Sequence, residues 1–534
     1  MFLSDQSPHG FFVDDIGSDG LGLTGSERRA TIGFLFGAGL YLYLIFFVLP
    51  HTPIYRGGDG DLYLASATRL FSGEVMYRDF NQFTFPGTEV LYTVLFNLFG
   101  PVPWVGNVAL VGVGFGLTWL TLAISRKLLR GWVAFIPALF FLALVFPSML
   151  DGTHHWYSVF GAMAAVAVVT ERRTPGRLAA AGALCGLSAW FTHMRGFQAA
   201  VGIVVFLLWE RQYRSLERRW LLKALACLAA AFLVSLVILN AYFVWKVGLG
   251  RFIQSTIIFG IKYYRSEPDN SWGMYLAEFP RLVPWPGLIS FLTNLFVHLL
   301  VPYVYFVVQI RYWRTKPTHP LQPWDRVMLL QAVGLCLFVG VAPAAEWQRL
   351  ATAALPATIL LVWLLNSWGG AGRGMLATFA VTALAFVIAF SARMQTRHWT
   401  YLDIPAGRLA VAETPRLEIL KWVLAHTKPG DFFFDNAGVH AFVILARVRC
   451  PGPVLFLTLT DYTRPEQVTR LIEALDRHRV RYILWETDFE TSSASGKEDS
   501  HLEPLREYLH AHYRVVATLT GLNQVWERSD PAAP

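Results

Sequence analysis

Long apolar blocks recur along this chain and constrain its fold more than any other feature. A transmembrane helix needs about 20 mostly apolar residues to cross about 30 Å of hydrocarbon. Many blocks here reach that length, and hydrophobic residues make up 54% of the 534 residues. The blocks are continuous runs without alternation, which excludes a closed β-barrel. The sequence therefore predicts an all-α polytopic membrane protein.

The placement of positive charge decides how many spans to expect. The segment 88–99 is apolar enough for a short crossing, but Arg126, Lys127 and Arg130 would then lie outside. If 88–99 lies in the membrane interface instead, these three residues fall on the cytoplasmic side, and so do the Lys and Arg clusters between the later spans. The expected spans are then about eleven: 31–50, 105–125, 132–149, 155–170, 178–193, 196–210, 221–244, 286–310, 327–344, 350–366 and 375–392.

This topology divides the chain into four regions. Residues 1–30 are expected to form a disordered cytoplasmic tail, and 31–392 the transmembrane domain, with outward loops at 51–104 and 246–285. Residues 393–405 are predicted to be a linker to an extracytoplasmic α/β domain at 406–534, because helical and strand-like segments alternate there. The net charge of +8 lies mostly between spans, so we expect no nucleic-acid partner. The four cysteines predict no disulfide framework.

Carboxylates collect in the first outward loop, directly after the first span. They are Asp59, Asp61, Glu74 and Asp79. Two further polar segments, DGTHHW at 151–156 and AEWQRL at 345–350, fall on the same side. Ionisable groups at membrane depth are costly and usually functional. The three segments together predict a site at the outer membrane surface.

The acids of this candidate site also have structural interpretations. Asp59 and Asp61 lie among glycines and suit a turn in a solvated loop. Asp79 is equally suited to an ion pair with Arg78 or Arg56, or to a helix cap. Asp151 precedes a glycine and suits a turn as well.

The remaining candidates are histidines, cations and one glutamate. His154 and its neighbour His155 point about 100° apart on a helix, so they do not readily bind one metal ion together. Glu346 and Arg349, three residues apart, suit a pair on a helix face. Arg195 suits either snorkelling to the interface or a phosphate contact. Lys262 lies in the second outward loop and is a further candidate cation.

The first loop resembles that of the GT-C class of membrane glycosyltransferases, in the branch with protein O-mannosyltransferases, lipid A aminoarabinose transferases and bacterial Rgt-like sugar transferases. The resemblance covers residues 31 to about 200 and rests on the order and spacing of short motifs. These are Asp59, Tyr63, Ala67, Leu70-Phe71-Ser72-Gly73, Tyr77-Arg78-Asp79-Phe80 and Phe85-Pro86-Gly87. Relatives often have Asp-Glu where this chain has Asp59-Gly60, so Asp61 is assigned part of that role.

The resemblance implies transfer of a sugar from a polyprenyl-phosphate donor to an acceptor at the outer face of the cytoplasmic membrane. Asp59 is then the catalytic acid of the first loop, acting with Asp61, and Asp151 is a secondary site residue. Tyr63, Asp79, His154 and Glu346 are assigned to substrate binding. Arg195, Lys262 or Arg349 would face the leaving phosphate, with a divalent cation as the alternative. The acceptor is a lipid, a glycan or a protein.

Two other functions fit a polytopic chain. A transporter or flippase of lipid-linked glycans would want charges within the spans or broken helices in paired halves. Most ionisable residues here lie at span ends instead. A non-catalytic scaffold would use its C-terminal domain to bind an envelope partner. Incubation with labelled polyprenyl-phosphate sugars separates the three functions. A transferase turns the donor over, a transporter takes it up without turnover, and a scaffold does neither.

Overall fold

The computed structural model describes residues 25–264, 270–278, 288–315, 323–341, 344–436, 440–490 and 500–529. Most of the N-terminal tail and parts of the loop 246–285 lie outside these residues. Within these residues, the first three quarters of the chain contain sixteen helices: α1 Gly25–Phe46, α2 Gly60–Phe71, α3 Gly87–Phe99, α4 Trp104–Ser125, α5 Gly131–Ser148, α6 His154–Glu171, α7 Pro175–Phe191, α8 His193–Tyr213, α9 Arg218–Val247, α10 249–262, α11 Gly273–Ala277, α12 288–315, α13 Trp324–Val339, α14 Trp347–Thr352, α15 Leu355–Asn366 and α16 Gly369–Thr396.

Helices occupy the apolar blocks, as the sequence predicts. Within the described ranges, six of them are long and apolar enough to cross a membrane: α1, α4, α5, α9, the part of α12 at Phe291–Thr315, and α16. Each other predicted span also contains a helix, but a total of eleven crossings stays a prediction. Residues 25–30, which we assigned to the tail, belong instead to α1. Thr31 supports this first turn by donating a hydrogen bond to the carbonyl of Glu27.

The ends of the helices sort into two groups. At one end, the cations predicted to be cytoplasmic form a network of ion pairs: Lys127–Glu171, Arg177–Glu171, Arg173–Glu210, Arg173–Asp325 and Arg214–Asp325. The acidic loop, the start of α6 and α14 lie at the other end. The three predicted outward segments therefore share one end of the bundle. Which end faces the cytoplasm stays a prediction.

Helix α3 begins and ends at the same end of the bundle. Its first residue, Gly87, packs against the carbonyl of Trp190 near the end of α7. The next helix, α4, begins nearby, and its Asn107 donates hydrogen bonds to the carbonyls of Phe46 and Ile54. At 1.5 Å per residue, 13 residues reach only about 20 Å. This geometry fits an interfacial helix and not a crossing one.

The C-terminal part is built from short strands and helices. They are β3 Thr400–Ile404, β4 Gly407–Val411, α17 Pro415–His426, β5 Phe433–Asp435, α18 Phe442–Leu445, α19 Pro465–Arg477, β6 Tyr482–Glu486, α20 Glu503–His512, β7 Tyr513–Thr520 and β8 Asn523–Arg528, after the two-residue strands β1 Phe47–Val48 and β2 Thr52–Pro53 near the acidic loop. The larger sheet has the order β5-β6-β8-β7, with β5 and β6 parallel and the other pairs antiparallel.

The boundary predicted at 405/406 does not separate two units. The segment 393–405, predicted to be a linker, is the last turn of α16 followed by β3, which pairs with β4 across the boundary. Strand β3 was missed in the sequence because Thr400–Ile404 has too few apolar residues to stand out as a strand. The hairpin also reaches the acidic loop, where the amide of Tyr55 donates a hydrogen bond to the carbonyl of Ala410. The C-terminal part therefore packs directly on the candidate site.

Candidate functional site

The acidic loop turns sharply before α2. Gly57 and Gly58 have φ of 68° and 92°, values that favour glycine over residues with a side chain. Asp59 follows at the N-cap of α2, a position that aspartate favours. Its carboxylate makes no capping hydrogen bond and is exposed. The turn therefore presents the Asp59 side chain outward from a rigid helix start.

Asp151 lies against this turn. Its carboxylate packs against the turn, since a Cβ on Gly58 would lie 3.1 Å from Oδ2 of Asp151. The approach of the two loops is close, since a Cβ on Gly60 would lie 2.6 Å from the backbone nitrogen of Gly152. Burial raises the pKa of Asp151 to about 7, with the negative charges of Asp59 and Asp61 adding to the effect. The structure thus brings together the two acids that the resemblance assigns to the site.

Asp61 points away from Asp59, into the protein. Its Oδ2 accepts a hydrogen bond of 2.6 Å from the hydroxyl of Tyr55. Burial raises the pKa of Asp61 to about 6, against the lowering effect of the Tyr55 hydrogen bond and of Arg416. A buried carboxyl held by a tyrosine is better placed to shape the loop than to meet a substrate directly.

Tyr63 and His154 meet one turn further along α2. The Tyr63 hydroxyl is hydrogen-bonded to Nδ1 of His154, and the two rings pack edge to face with centroids 5.3 Å apart. Both side chains are largely enclosed. The pair links the acidic loop to the start of α6, which explains why residues 91 positions apart belong to one site.

Two arginines stand beside these residues. Nη2 of Arg195 donates to the carbonyl of Arg349, at 3.2 Å. Arg349 contacts Glu346 at 3.5 Å and donates to the hydroxyl of Tyr264 at 3.1 Å. Nη1 of Arg195 is buried and, among the described residues, has no hydrogen-bond partner. The positive charges of Arg349 and Arg195 both act on His154, and Asp59 acts on Arg349.

Two predicted site residues make local contacts elsewhere. Asp79 pairs with Arg78 at 2.8 Å, which is the ion pair that the sequence offered as an alternative. It also accepts a hydrogen bond from the amide of Val75 within a turn, and it caps no helix in the described part of the chain. Lys262 is exposed, with its ammonium 5.1 Å from the ring centre of Tyr263. Within the described ranges, no contact joins either residue to the acids of the loop.

Sequence reasoning missed a buried carboxyl in α3. Glu89 is fully buried, and its Oε1 accepts a hydrogen bond of 2.7 Å from Gln82. Burial raises the pKa of Glu89 to about 8. The sequence did contain a signal for it, because Glu89 is the one acid in the apolar segment 88–99. Burying a carboxyl costs free energy, so an acid in such a segment usually has a structural or functional role.

An aromatic wall from the C-terminal part was also missed. Tyr462 packs against Phe83 at 5.7 Å and Phe259 at 5.1 Å, and Phe83 packs against Tyr264 at 5.1 Å. Nothing in the residue pattern around 462 pointed to the site, because the contact joins segments nearly 400 residues apart.

For metal binding, the described part of the chain contains no group of three or more His, Cys, Asp and Glu residues that would hold an ion.

Comparison with known proteins identifies the fold. No protein-family model matches the sequence, and no curated protein matches it. The chain is similar to ArnT from Cupriavidus metallidurans in its apo state, with a TM-score of 0.59 and 12% identity over 94% of this chain and 98% of that chain. For ArnT bound to undecaprenyl phosphate the values are 0.54, 13%, 96% and 100%. The GT-C fold predicted from the motifs of the first loop is thus confirmed.

Proposed function

We propose that this chain is an inverting glycosyltransferase that moves a sugar from a polyprenyl-phosphate donor to an acceptor hydroxyl at the outer face of the cytoplasmic membrane. One observation carries the proposal: Asp59 is exposed at the start of α2, with Asp151 on one side and Arg349 within range of its charge. A base beside a cation is the pairing that displacement at an anomeric carbon requires. The similar ArnT structure contains undecaprenyl phosphate, which is a lipid of the proposed donor class.

Asp59 is assigned the role of general base. As the acceptor hydroxyl attacks the anomeric carbon, the carboxylate takes its proton, and the bond to the lipid phosphate breaks. General-base catalysis contributes about 10²–10⁴-fold in rate. Asp151 packs closely against Gly58, and Gly152 against Gly60, which holds the loop in place, so Asp151 is assigned to positioning.

The leaving polyprenyl phosphate gains negative charge as that bond breaks. Arg195 and Arg349 are the proposed partners of this charge, because a guanidinium pairs with phosphate through two donors. The unpartnered Nη1 of Arg195 supplies a donor for it. A divalent cation is the alternative source of positive charge. Lys262 is the weaker candidate, since its contact lies with Tyr263.

The proposal includes a multi-pass location in the cytoplasmic membrane, with the N-terminus inside and the C-terminal α/β part outside. The contact between Tyr55 and Ala410 supports placing the C-terminal part on the same side as the acidic loop. A glycan flippase and an envelope scaffold remain the rival functions, and both predict no turnover.

The test compares three proteins in lipid nanodiscs: the wild type, Asp59→Asn, and Asp403→Asn. Asp403 is an exposed acid on β3 with a loose ion pair to Arg408 at 3.9 Å, so it controls for the loss of one carboxylate. Purified protein receives labelled polyprenyl-phosphate sugars and an envelope extract as acceptor. We expect Asp59→Asn to lose about 10²–10⁴-fold in transfer and Asp403→Asn to match the wild type. Full activity in Asp59→Asn would overturn the assignment. In a parallel assay with the protein reconstituted in closed vesicles, donor uptake without transfer would favour a flippase.

A further inference from the structure

A separate cavity lies behind the acidic loop, where the C-terminal part meets it. Its volume is about 450 Å³, within the range of about 300–1,000 Å³ found for small-molecule sites. It is lined by Tyr55, Arg56, Val411, Ala412, Thr414, Pro415, Arg416, Ile419 and Asn523. We call it the arginine pocket. Two of its lining residues are arginines and none is acidic, so it favours an anion.

Arg416 is the accessible cation of this pocket. Its guanidinium packs against the α-carbon of Gly57, two residues before Asp59. The side chain is exposed, and in the part of the chain that the structure describes it makes no hydrogen bond or ion pair. A guanidinium with free donors at a cavity wall is suited to a planar or tetrahedral anion.

Two other features add positive potential. Arg56 lines the pocket, donates to the carbonyl of Ile45, and has a buried Nε without a hydrogen-bond partner among the described residues. Helix α17 begins at the pocket wall with Thr414 as its N-cap. The N-terminus of a helix carries a partial positive charge that attracts anions.

The acidic loop separates this pocket from the other arginines. Arg416 acts electrostatically on Asp61 and Tyr55, whereas Asp59 acts on Arg349. The loop therefore has Arg416 near its buried acid, Asp61, and Arg349 near its exposed acid, Asp59. In an inverting transfer the acceptor hydroxyl attacks the anomeric carbon on the face opposite the leaving phosphate, so two separate cationic groups suit the acceptor and the donor phosphate.

We propose that the arginine pocket binds an anionic group, a phosphate or a carboxylate, of the acceptor while Arg195 and Arg349 hold the donor phosphate. This deepens the proposed function and rests on it. The pocket's position at the carbonyl end of α1 means that a phosphate could also come from a bilayer lipid headgroup. The two sources share their chemistry and are separated by experiment.

The first experiment measures occupancy without any catalysis. The full chain in nanodiscs of neutral lipid is treated with phenylglyoxal, and modification of each arginine is followed by mass spectrometry. Inorganic phosphate or a monosaccharide phosphate should slow modification of Arg416 about fivefold or more. Arg408, an exposed arginine on β4 outside the pocket, is the internal control and should show no protection.

Three results decide the proposal. Equal modification of Arg416 with and without phosphate overturns it. Protection that appears only with anionic phospholipid in the nanodisc, and not with soluble phosphates, assigns the pocket to bilayer lipid and overturns it as well. Asp59→Asn should show the same protection as the wild type, so a failure of the catalytic assignment leaves this measurement intact.

The second experiment uses turnover. Arg416→Gln should raise KM for an anionic acceptor about tenfold with kcat changed less than about threefold, because it removes charge-assisted hydrogen bonds remote from the reacting atoms. Arg416→Lys should recover part of the loss, and Arg408→Gln should match the wild type. Unchanged KM in Arg416→Gln contradicts the proposal.

Discussion

The close approach of the acidic loop to residues 151–152 is testable with a single methyl group. In Gly60→Ala the new Cβ would lie 2.6 Å from the backbone nitrogen of Gly152 and 3.2 Å from its Cα, where ordinary contacts begin at 3.4 Å. Both neighbours are backbone atoms and cannot rotate away. The two loops must therefore separate by about 0.8 Å, at a cost of about 1–3 kcal/mol in folding free energy.

This separation moves Asp59 relative to Asp151 and to any bound substrate. A misplacement of about 1 Å costs about 100-fold in rate when catalysis depends on positioning. We therefore expect kcat for sugar transfer to fall about 100-fold in Gly60→Ala, with a modest drop in Tm. The measurement is kcat with labelled polyprenyl-phosphate donor in nanodiscs.

The matched control is Gly112→Ala in α4. A methyl group there meets no atom within 4 Å, and the residue is helical, so alanine should be neutral or slightly stabilising. Activity of Gly60→Ala within twofold of that of Gly112→Ala would refute the reasoning that contact between the loops positions Asp59.

Three further predictions concern the surroundings of the site. Burial raises the pKa of Asp61 to about 6, so the folded state loses stability as pH rises from about 4 to about 6. Asp61→Asn should therefore stabilise the fold by about 3 kcal/mol at pH 8 and by about half as much at pH 5. The difference in Tm between variant and wild type at the two pH values checks this. Glu74→Gln should lower Tm by the equivalent of about 2 kcal/mol, since it leaves Arg69, buried and bonded to the carbonyl of Gly452, without its ion pair; an unchanged Tm would contradict this. Arg195→Lys should raise KM for the donor about tenfold through loss of the planar guanidinium, and an unchanged donor KM would remove Arg195 from the phosphate site.

Much of the site was predictable because its motifs are local. Most of its residues were predicted because they are charged or polar and lie at the edges of apolar blocks, and Tyr63 was predicted through the motif of the first loop. The structure brings these residues into one region: Asp59, Asp151, Tyr63, His154, Arg195, Glu346 and Arg349. Asp79 was drawn in by the same logic, although its partner is the adjacent Arg78. A pattern of residue types does not distinguish an acid that meets a substrate from one that pairs with its neighbour.

The sequence by itself determined the class of protein and the position of its helices, because the free energy of transferring apolar residues into hydrocarbon adds up along the chain. Only the tertiary structure decided which carboxyls are buried, since desolvation depends on segments distant in sequence, as for Asp61 under Tyr55 and for Glu89 in α3. The same holds for the packing of the hairpin β3–β4 on the acidic loop and for the arginine pocket, which forms where Tyr55 and Arg56 meet residues of the C-terminal part.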